Sequence, residues 1–593
     1  MSKLGKIISG LLTGALSLVG NLTPNQQNGA SLYGTLNAPT LPAFLTNNPL
    51  PLGFPWGSRT AGNTNPDFPP TTGVTRVYDF TVSRGVIKPD GVSKNVILIN
   101  GQFPGPTIEA NWGDQIMVTV HNKITAPGEG IGIHWHGFLQ KKTQYFDGVA
   151  SVQQCPIAPG SSFTYNFQAD TYGTTWYHSH YSAQYADGLI GPIVVHGPKN
   201  QPYDIDLGPV MLSDYFHKSY FEILEGVLSN TFDFSLIVPS SDNNMINGKG
   251  IFDCSNTTLP CTPNAGISKF RFRKGKVHRL RLINTGAEGL QRFSIDGHLL
   301  TVISNDFVPI KPYTTKVVTL GIGQRADVLV TANVGGLTDS FWMRANISIP
   351  CSVTKQPYAL AAVGYDFASL SQAPKSKPWD VPDPATCSND DLALTVPFYP
   401  IVPPAKSDFI QQYDINFAPN ASNIFQWSVN GQSFRGNYNA PVLMLANLGN
   451  TSYPPEWNVY NYGTNGSVTF VVNNPAGFPA HPMHMHGHNF FVLHQGPGAW
   501  DGTVTNAANP IRRDVIQVPG GWHVAIQIVT DNPGAWPFHC HIAWHVSGGL
   551  YITILEQPEK IKAIKIPQTL AQGCREWAAF TGTTVINQID SGL

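Results

Sequence analysis

Charge is scarce in this chain. Only 12% of its 593 residues are Asp, Glu, Lys or Arg, and the formal net charge is −1. Nothing in that balance offers a basic patch for nucleic acid or a cationic face for an anionic bilayer. Beyond the first twenty residues there is also no apolar run long enough to span a membrane. Neither nucleic acid nor a membrane is therefore an expected partner. Cysteines are few as well, at seven. Only one of them, Cys540, sits between histidines, which is not the Cys-rich set of a structural zinc site. The odd count leaves one thiol over if the rest are paired.

Turn formers are abundant, with 57 Gly and 48 Pro among runs rich in Val, Ile, Thr and aromatics. That mixture favours β-sandwiches or barrels, and the length calls for roughly two to four domains. Lys3 and Lys6 precede an apolar run of small and aliphatic residues, which reads as a secretory leader over 1–20. N-x-S/T acceptors begin at Asn21, Asn256, Asn346, Asn420, Asn450 and Asn465. Leader and acceptors together suggest a secreted, extracellular glycoprotein. Residues 21–71 are Pro- and Asn-rich and read as irregular. Strand-like blocks follow at 72–197, 204–366 and 411–559, with a linker in "GPKNQPYDIDLGP" and a Pro-rich connection at 367–410. A tail at 560–593 ends in "DSGL".

The most informative feature is an internal repeat. "GTTWYHSHYSAQYADGLIGPIVV" from Gly173 matches "GAWPFHCHIAWHVSGGLYITILE" from Gly534, and "IGIHWHGF" matches "HPMHMHGH". His134, His136, His178 and His180 thereby align with His484, His486, His539 and His541. Where the third block has His481, Cys540 and His545, the first has Ile131, Ser179 and Gln184. This is the pattern of a Cys-containing site in one copy and a shared histidine site between copies.

Eighteen histidines placed at random would give roughly 0.5 His-x-His pairs by template counting. The chain has five: 134/136, 178/180, 484/486, 486/488 and 539/541. Along a strand, side chains alternate faces, so His539 and His541 point one way and Cys540 the other. A thiolate with imidazoles suits copper, iron or zinc; one Cys with two His and a weak or absent axial ligand is the blue-copper electron-transfer set. Ligation would also explain why Cys540 escapes pairing. The other six cysteines could pair as 155–574, 254–261 and 351–387, although sequence alone leaves the pairing open.

The segments "HWHG", "HSH", "HPMHMHGH" and "HCHIAWHVSGGL" resemble the four copper signatures of the multicopper oxidases. "DNPGAW" and the terminal "DSGL" make the chain similar to the ascomycete-type fungal laccases, from Thr75 to Leu593. The resemblance implies three consecutive cupredoxin-like Greek-key β-sandwiches in an all-β chain, monomeric, holding four copper ions. A type 1 copper would take His481, Cys540 and His545, with Leu550 in the axial position. A type 2 copper would take His134 and His484. Two type 3 coppers would take His136, His178 and His541, and His180, His486 and His539.

The implied activity is one-electron oxidation of phenols and aromatic amines, coupled to four-electron reduction of dioxygen to water. Asp147 matches the family's acid near the type 2 copper. A second acid that many relatives carry three residues after the Cys is Ala543 here. Asp590, in a tail that enters the type 3 solvent channel in this group, could supply the missing carboxylate. Glu288 occupies the position of the acid that accepts the phenolic proton, with Asp242 as second candidate. A bilirubin oxidase or ferroxidase on the same scaffold, or a non-catalytic copper-binding cupredoxin protein, are the alternatives.

Overall fold

A computed structural model describes residues 56–582 and residue 590. The expected leader, the acceptor Asn21, most of the N-terminal extension and residues 591–593 lie outside the described residues.

The strands follow from the alternation in the sequence. In Gln115–Asn122, Ile116, Val118 and Val120 are buried while Gln115, Met117 and Thr119 are only partly so, which gives one face to a core and one towards solvent. Ser340–Ile347 and Phe409–Pro419 alternate in the same way. Not every strand alternates: Ile133–Trp135, Gly173–Ser179, His481–Met485 and Gly534–Cys540 are among those buried along their whole length. These are the strands that carry the repeated histidine motifs.

Strands pair into six sheets, two per block in chain order. Residues 75–196 form two four-stranded sheets, whereas residues 205–365 and residues 409–556 each form one sheet of six strands and one of five. This is the expected all-β, cupredoxin-like architecture. The middle block has a core of its own, including Phe293, Val302, Val328 and Val363. The first and third share a continuous core, in which Trp135 and Trp176 belong to the same cluster as Phe470, Trp536 and Trp544. The two copies of the repeat are therefore packed together, and the site lies between them.

Some connections differ from the sequence reading. The strand Ile205–Tyr215 begins inside the expected linker, because this segment pairs in parallel with Val277–Asn284. The Pro-rich connection is extended but stitched down. Asn389 donates to Gln324 Oε1 at 2.7 Å and accepts from Gln517 N at 2.9 Å. The C-terminal tail contains a helix, Gln568–Thr581, held by the buried Leu570 and Trp577. Three disulfides form, Cys155–Cys574, Cys254–Cys261 and Cys351–Cys387, and Cys540 is free and buried. The first ties the helix to the first block across 419 residues of chain.

Candidate metal centre

Strand register builds the site. In the first block His134 lies opposite His178; in the third, His484 lies opposite His539. The same cross-strand pair has been made twice, and the shared core faces the two copies towards each other. Their side chains converge in sets whose ligand atoms lie within 4.8 Å of one another: His136, His178 and His541; His180, His486 and His539; and His134, His136 and His484. Each of these sets draws on both blocks, so none exists in either alone.

Cys540 ends its strand, and the alternation holds there. His539 and His541 turn into the histidine sets, while the Cys540 thiol turns the opposite way, to His481 and His545. Sγ lies 3.6 Å from Nδ1 of each, and the two Nδ1 atoms are 3.1 Å apart. His545 sits on the short helix Ala543–Ser547, which follows the strand after His541 and Ile542. Leu550 is fully buried beside this group. Its carbonyl accepts from Cys540 N at 3.1 Å, and its own N–H donates to the His545 carbonyl at 3.0 Å.

Hydrogen bonds fix the rings. His134 Nδ1 bonds to the Asp147 carbonyl (2.9 Å), His178 Nδ1 to Ser179 O (3.0 Å), His484 Nδ1 to Asp514 O (2.8 Å) and His539 Nδ1 to Cys540 O (2.8 Å). A carbonyl can only accept, so each Nδ1 carries the proton and each Nε2 presents a lone pair. Nε2 of His134, His178 and His484 is buried without a hydrogen-bond partner among the described residues. His136 is reversed: Nε2 meets Asp514 Oδ1 at 3.2 Å, and Nδ1 is the unpartnered atom. Several orphaned buried nitrogens aimed at common points are costly unless something fills them. Metal ions fit that demand.

Electrostatics agree with the donor set. Burial pushes the pKa of His481 and His539 down to about 3 and lowers those of His136, His178, His180, His484, His486, His541 and His545. These rings are therefore neutral, the form that ligates. Burial pushes the Cys540 thiol up. A thiolate needs a cation beside it in so apolar a place, and a bound metal supplies one.

The acids fall in different places. Asp147 follows the turn Gln144–Phe146, and its carboxylate lies 3.2 Å from His134 Nδ1 and 2.8 Å from His486 Nδ1. The next residue, Gly148, has φ of +91°, and a Cβ there would collide with the Ile133 carbonyl. The turn can therefore press Asp147 against the His134 strand only with glycine at 148. Glu288 lines a cavity with Phe232, Phe234, Phe417, Trp427 and His545. It is 9% exposed and its Oε2 has no partner among the described residues. Burial, reinforced by Asp214, raises its pKa. Asp242 does not line that cavity; it accepts from Lys355 Nζ at 2.6 Å and from His217 N at 2.7 Å. Asp590 is 4% exposed, accepts a hydrogen bond from Ser182 Oγ, and shares a second cavity with Glu129, Tyr181, Tyr220 and Tyr438.

The sequence reading missed Asp514. It is fully buried, it touches His136, its carbonyl holds His484, and burial pushes its pKa up to about 6 against the pull of Arg325. An acid inside the otherwise strand-like run "IRRDVIQV" was the available signal. His488, left over from the fifth His-x-His pair, makes an ion pair with Glu556 at 3.0 Å.

Known multicopper oxidases resemble this chain along most of its length. Residues 81–200, 206–368 and 417–560 each match a multicopper oxidase family description. The chain is 38% identical to Laccase-2 of Botryotinia fuckeliana over 551 residues, covering 91% of this chain and 92% of the relative. The crystal structure of a laccase from Botrytis aclada is 36% identical with a TM-score of 0.81, covering 90% of this chain and all of that one. Fet3p, a multicopper oxidase that functions in iron import, is 25% identical with a TM-score of 0.75, covering 87% of this chain and 96% of that one. The chain belongs to the multicopper oxidases, a copper-binding family of oxidoreductases.

Proposed function

We propose that the protein is a laccase. It would be a secreted, monomeric enzyme of three domains at 72–197, 204–366 and 411–559. It would oxidise phenols and aromatic amines one electron at a time and reduce dioxygen to water. One observation carries the reading: Cys540 belongs to one ligand set while its chain neighbours His539 and His541 belong to two different three-histidine sets. A single tripeptide thus joins the electron-accepting site to the oxygen site.

Four copper ions would be held. His481, Cys540 and His545 would take one, with the buried, non-ligating Leu550 beside them, and His134 and His484 would take another. His136, His178 and His541 take the third, and His180, His486 and His539 the fourth. When bound, copper supplies one-electron acceptance from the substrate and four-electron reduction of dioxygen to two waters.

The chain's own groups do the rest. The apolar cavity seats the aromatic body of a phenol against the His545 edge and excludes water. The unpartnered Glu288 Oε2 accepts the hydroxyl proton, which a phenol releases on losing an electron. Asp147 holds His134 and His486 in place. Asp147 and Asp590 are the acids placed to hand on the protons that oxygen reduction consumes.

A ferroxidase is disfavoured because the cavity wall is apolar apart from Glu288, Ser352 and His545, whereas a hard cation needs several oxygen ligands. The test is copper content and visible spectrum of the purified protein, with dioxygen uptake on 2,6-dimethoxyphenol and on ferrous iron. Four coppers, a blue band and uptake favouring the phenol are expected. Faster uptake on iron, or none on either donor, would reject the reading.

A further inference from the structure

Glu288 does not hold its own position. It lies in the loop 285–290, and three consecutive backbone N–H groups of that loop converge on one carboxylate. Asp214 Oδ1 accepts from Ala287 N at 2.7 Å, and Oδ2 accepts from Glu288 N at 2.7 Å and Gly289 N at 2.6 Å. Asp214 is the penultimate residue of the strand Ile205–Tyr215 and is 6% exposed. No cation pairs with it among the described residues, so the three N–H dipoles are its counter-charge, as in anion-binding backbone nests. Little slack remains, because a Cβ at Gly286 or Gly289 would come within 3.1–3.2 Å of the Asp214 carboxylate.

The same loop reaches His545. The Ala287 carbonyl accepts from Ala543 N at 2.9 Å, at the first residue of the helix that carries His545. On the other side the Glu288 carbonyl accepts from Ser352 Oγ at 3.2 Å. Asp214 is thus one hydrogen bond from the acid's backbone and two from the helix that bears the electron-accepting histidine.

We propose that Asp214 is the positioning residue of the phenol site: it sets the register between Glu288 and His545 and so determines selectivity for donors that must release a proton. The proposal rests on Glu288 being the proton acceptor. Asp214 touches neither cavity nor metal ligand, so it acts through the loop.

The experiment compares Asp214→Asn, Glu288→Gln and the double variant on 2,6-dimethoxyphenol and on hexacyanoferrate(II), a one-electron donor with no proton to lose. Asparagine keeps the shape but turns an N–H towards the loop's N–H groups. Asp214→Asn is expected to lower kcat/KM for the phenol by about tenfold, within the span general-base catalysis covers, and to change the inorganic donor less than about twofold, with blue absorbance and copper content unchanged. The double variant should be no worse than Glu288→Gln alone, because residues acting as one unit are non-additive.

Equal losses on both donors, or full additivity, would overturn the proposal. A phenol-selective Glu288→Gln beside an unselective Asp214→Asn would remove this proposal and leave the role of Glu288 standing. An unselective Glu288→Gln would remove both. Should Asp214→Asn fail to accumulate, Gly289→Ala crowds the same carboxylate without changing its charge and is read by the same ratio.

Discussion

Arg325 and Asp514 face each other as a fully buried bidentate pair, with Arg325 Nη2 2.6 Å from Asp514 Oδ2. Arg325 comes from the middle block, which contributes none of the converging histidines. Asp514 comes from the third block and touches His136 of the first at 3.2 Å. All three blocks therefore meet at one ion pair beside the histidine sets. Gly323, two residues before the arginine, packs against the same rings; with φ of +82°, a Cβ there would lie 2.8 Å from His541 Cδ2. The middle block serves the site by bracing it.

That bracing is testable. Removing one partner of a buried pair leaves an uncompensated charge and costs about 3–5 kcal/mol. Arg325→Leu should lower denaturant stability by an amount of that order and reduce copper content, while Arg325→Lys, which loses the two-pronged geometry, should fall between. Copper content and midpoint unchanged from the parent would show that the pair is not structural support for the site.

Glu288 gives a pH prediction. Its folded-state proton affinity is raised by burial and then by Asp214. The folded protein therefore binds that proton more tightly than the unfolded chain. The associated stability is fully present below the ordinary carboxyl range and declines as pH rises from there towards the raised value. Glu288→Gln removes the decline. The copper-free variant should match the parent's unfolding temperature near pH 4 and exceed it at pH 7. A variant less stable at pH 7 than at pH 4, relative to the parent, would contradict the sign.

Leu550→Met tests the axial assignment. Leucine and methionine have similar volumes, so the packing cost should stay below about 1.5 kcal/mol. A thioether beside the Cys540 set is a weak donor that favours the oxidised ion. The reduction potential of the blue site should therefore fall. An unchanged or higher potential in a redox titration would place residue 550 away from the axial position.

Much of this arrangement was legible in the sequence, because the histidines repeat with the block. Alternation put Cys540 on the face opposite His539 and His541, and the ladder keeps that order. The pairing of Asp514 with Arg325 was not legible, since it spans 189 residues and no spacing rule reaches across separate sheets. Asp214 escaped for the same reason: its partners are backbone N–H groups, which carry no residue identity. Asp242 and Glu288 looked alike as single acids in polar loops, and only folding sends one to Lys355 and the other into an apolar cavity. The helix Gln568–Thr581 lies in the stretch read only as tail, and it buries just Leu570 and Trp577.

The last prediction concerns Asp590. Its side chain accepts from Ser182 Oγ and its carbonyl accepts from Arg435 Nη1 at 3.0 Å. Ser182 lies two residues after His180, so this carboxylate is close in sequence contact to one histidine set. Before it, the chain is held by Cys155–Cys574 and by Trp577, which is fully buried against Tyr181 and Tyr438. Deleting residues 590–593 should therefore remove the acid while the helix stays docked. The His481–Cys540–His545 set lies elsewhere, so the blue spectrum should be retained. If Asp590 supplies protons at the oxygen site, reoxidation of the reduced enzyme by dioxygen should slow, and Asp590→Asn should slow it alike. Stopped-flow reoxidation across a pH series decides the matter. Parent-like rates at every pH in both variants would reduce Asp590 to an anchor for the chain end.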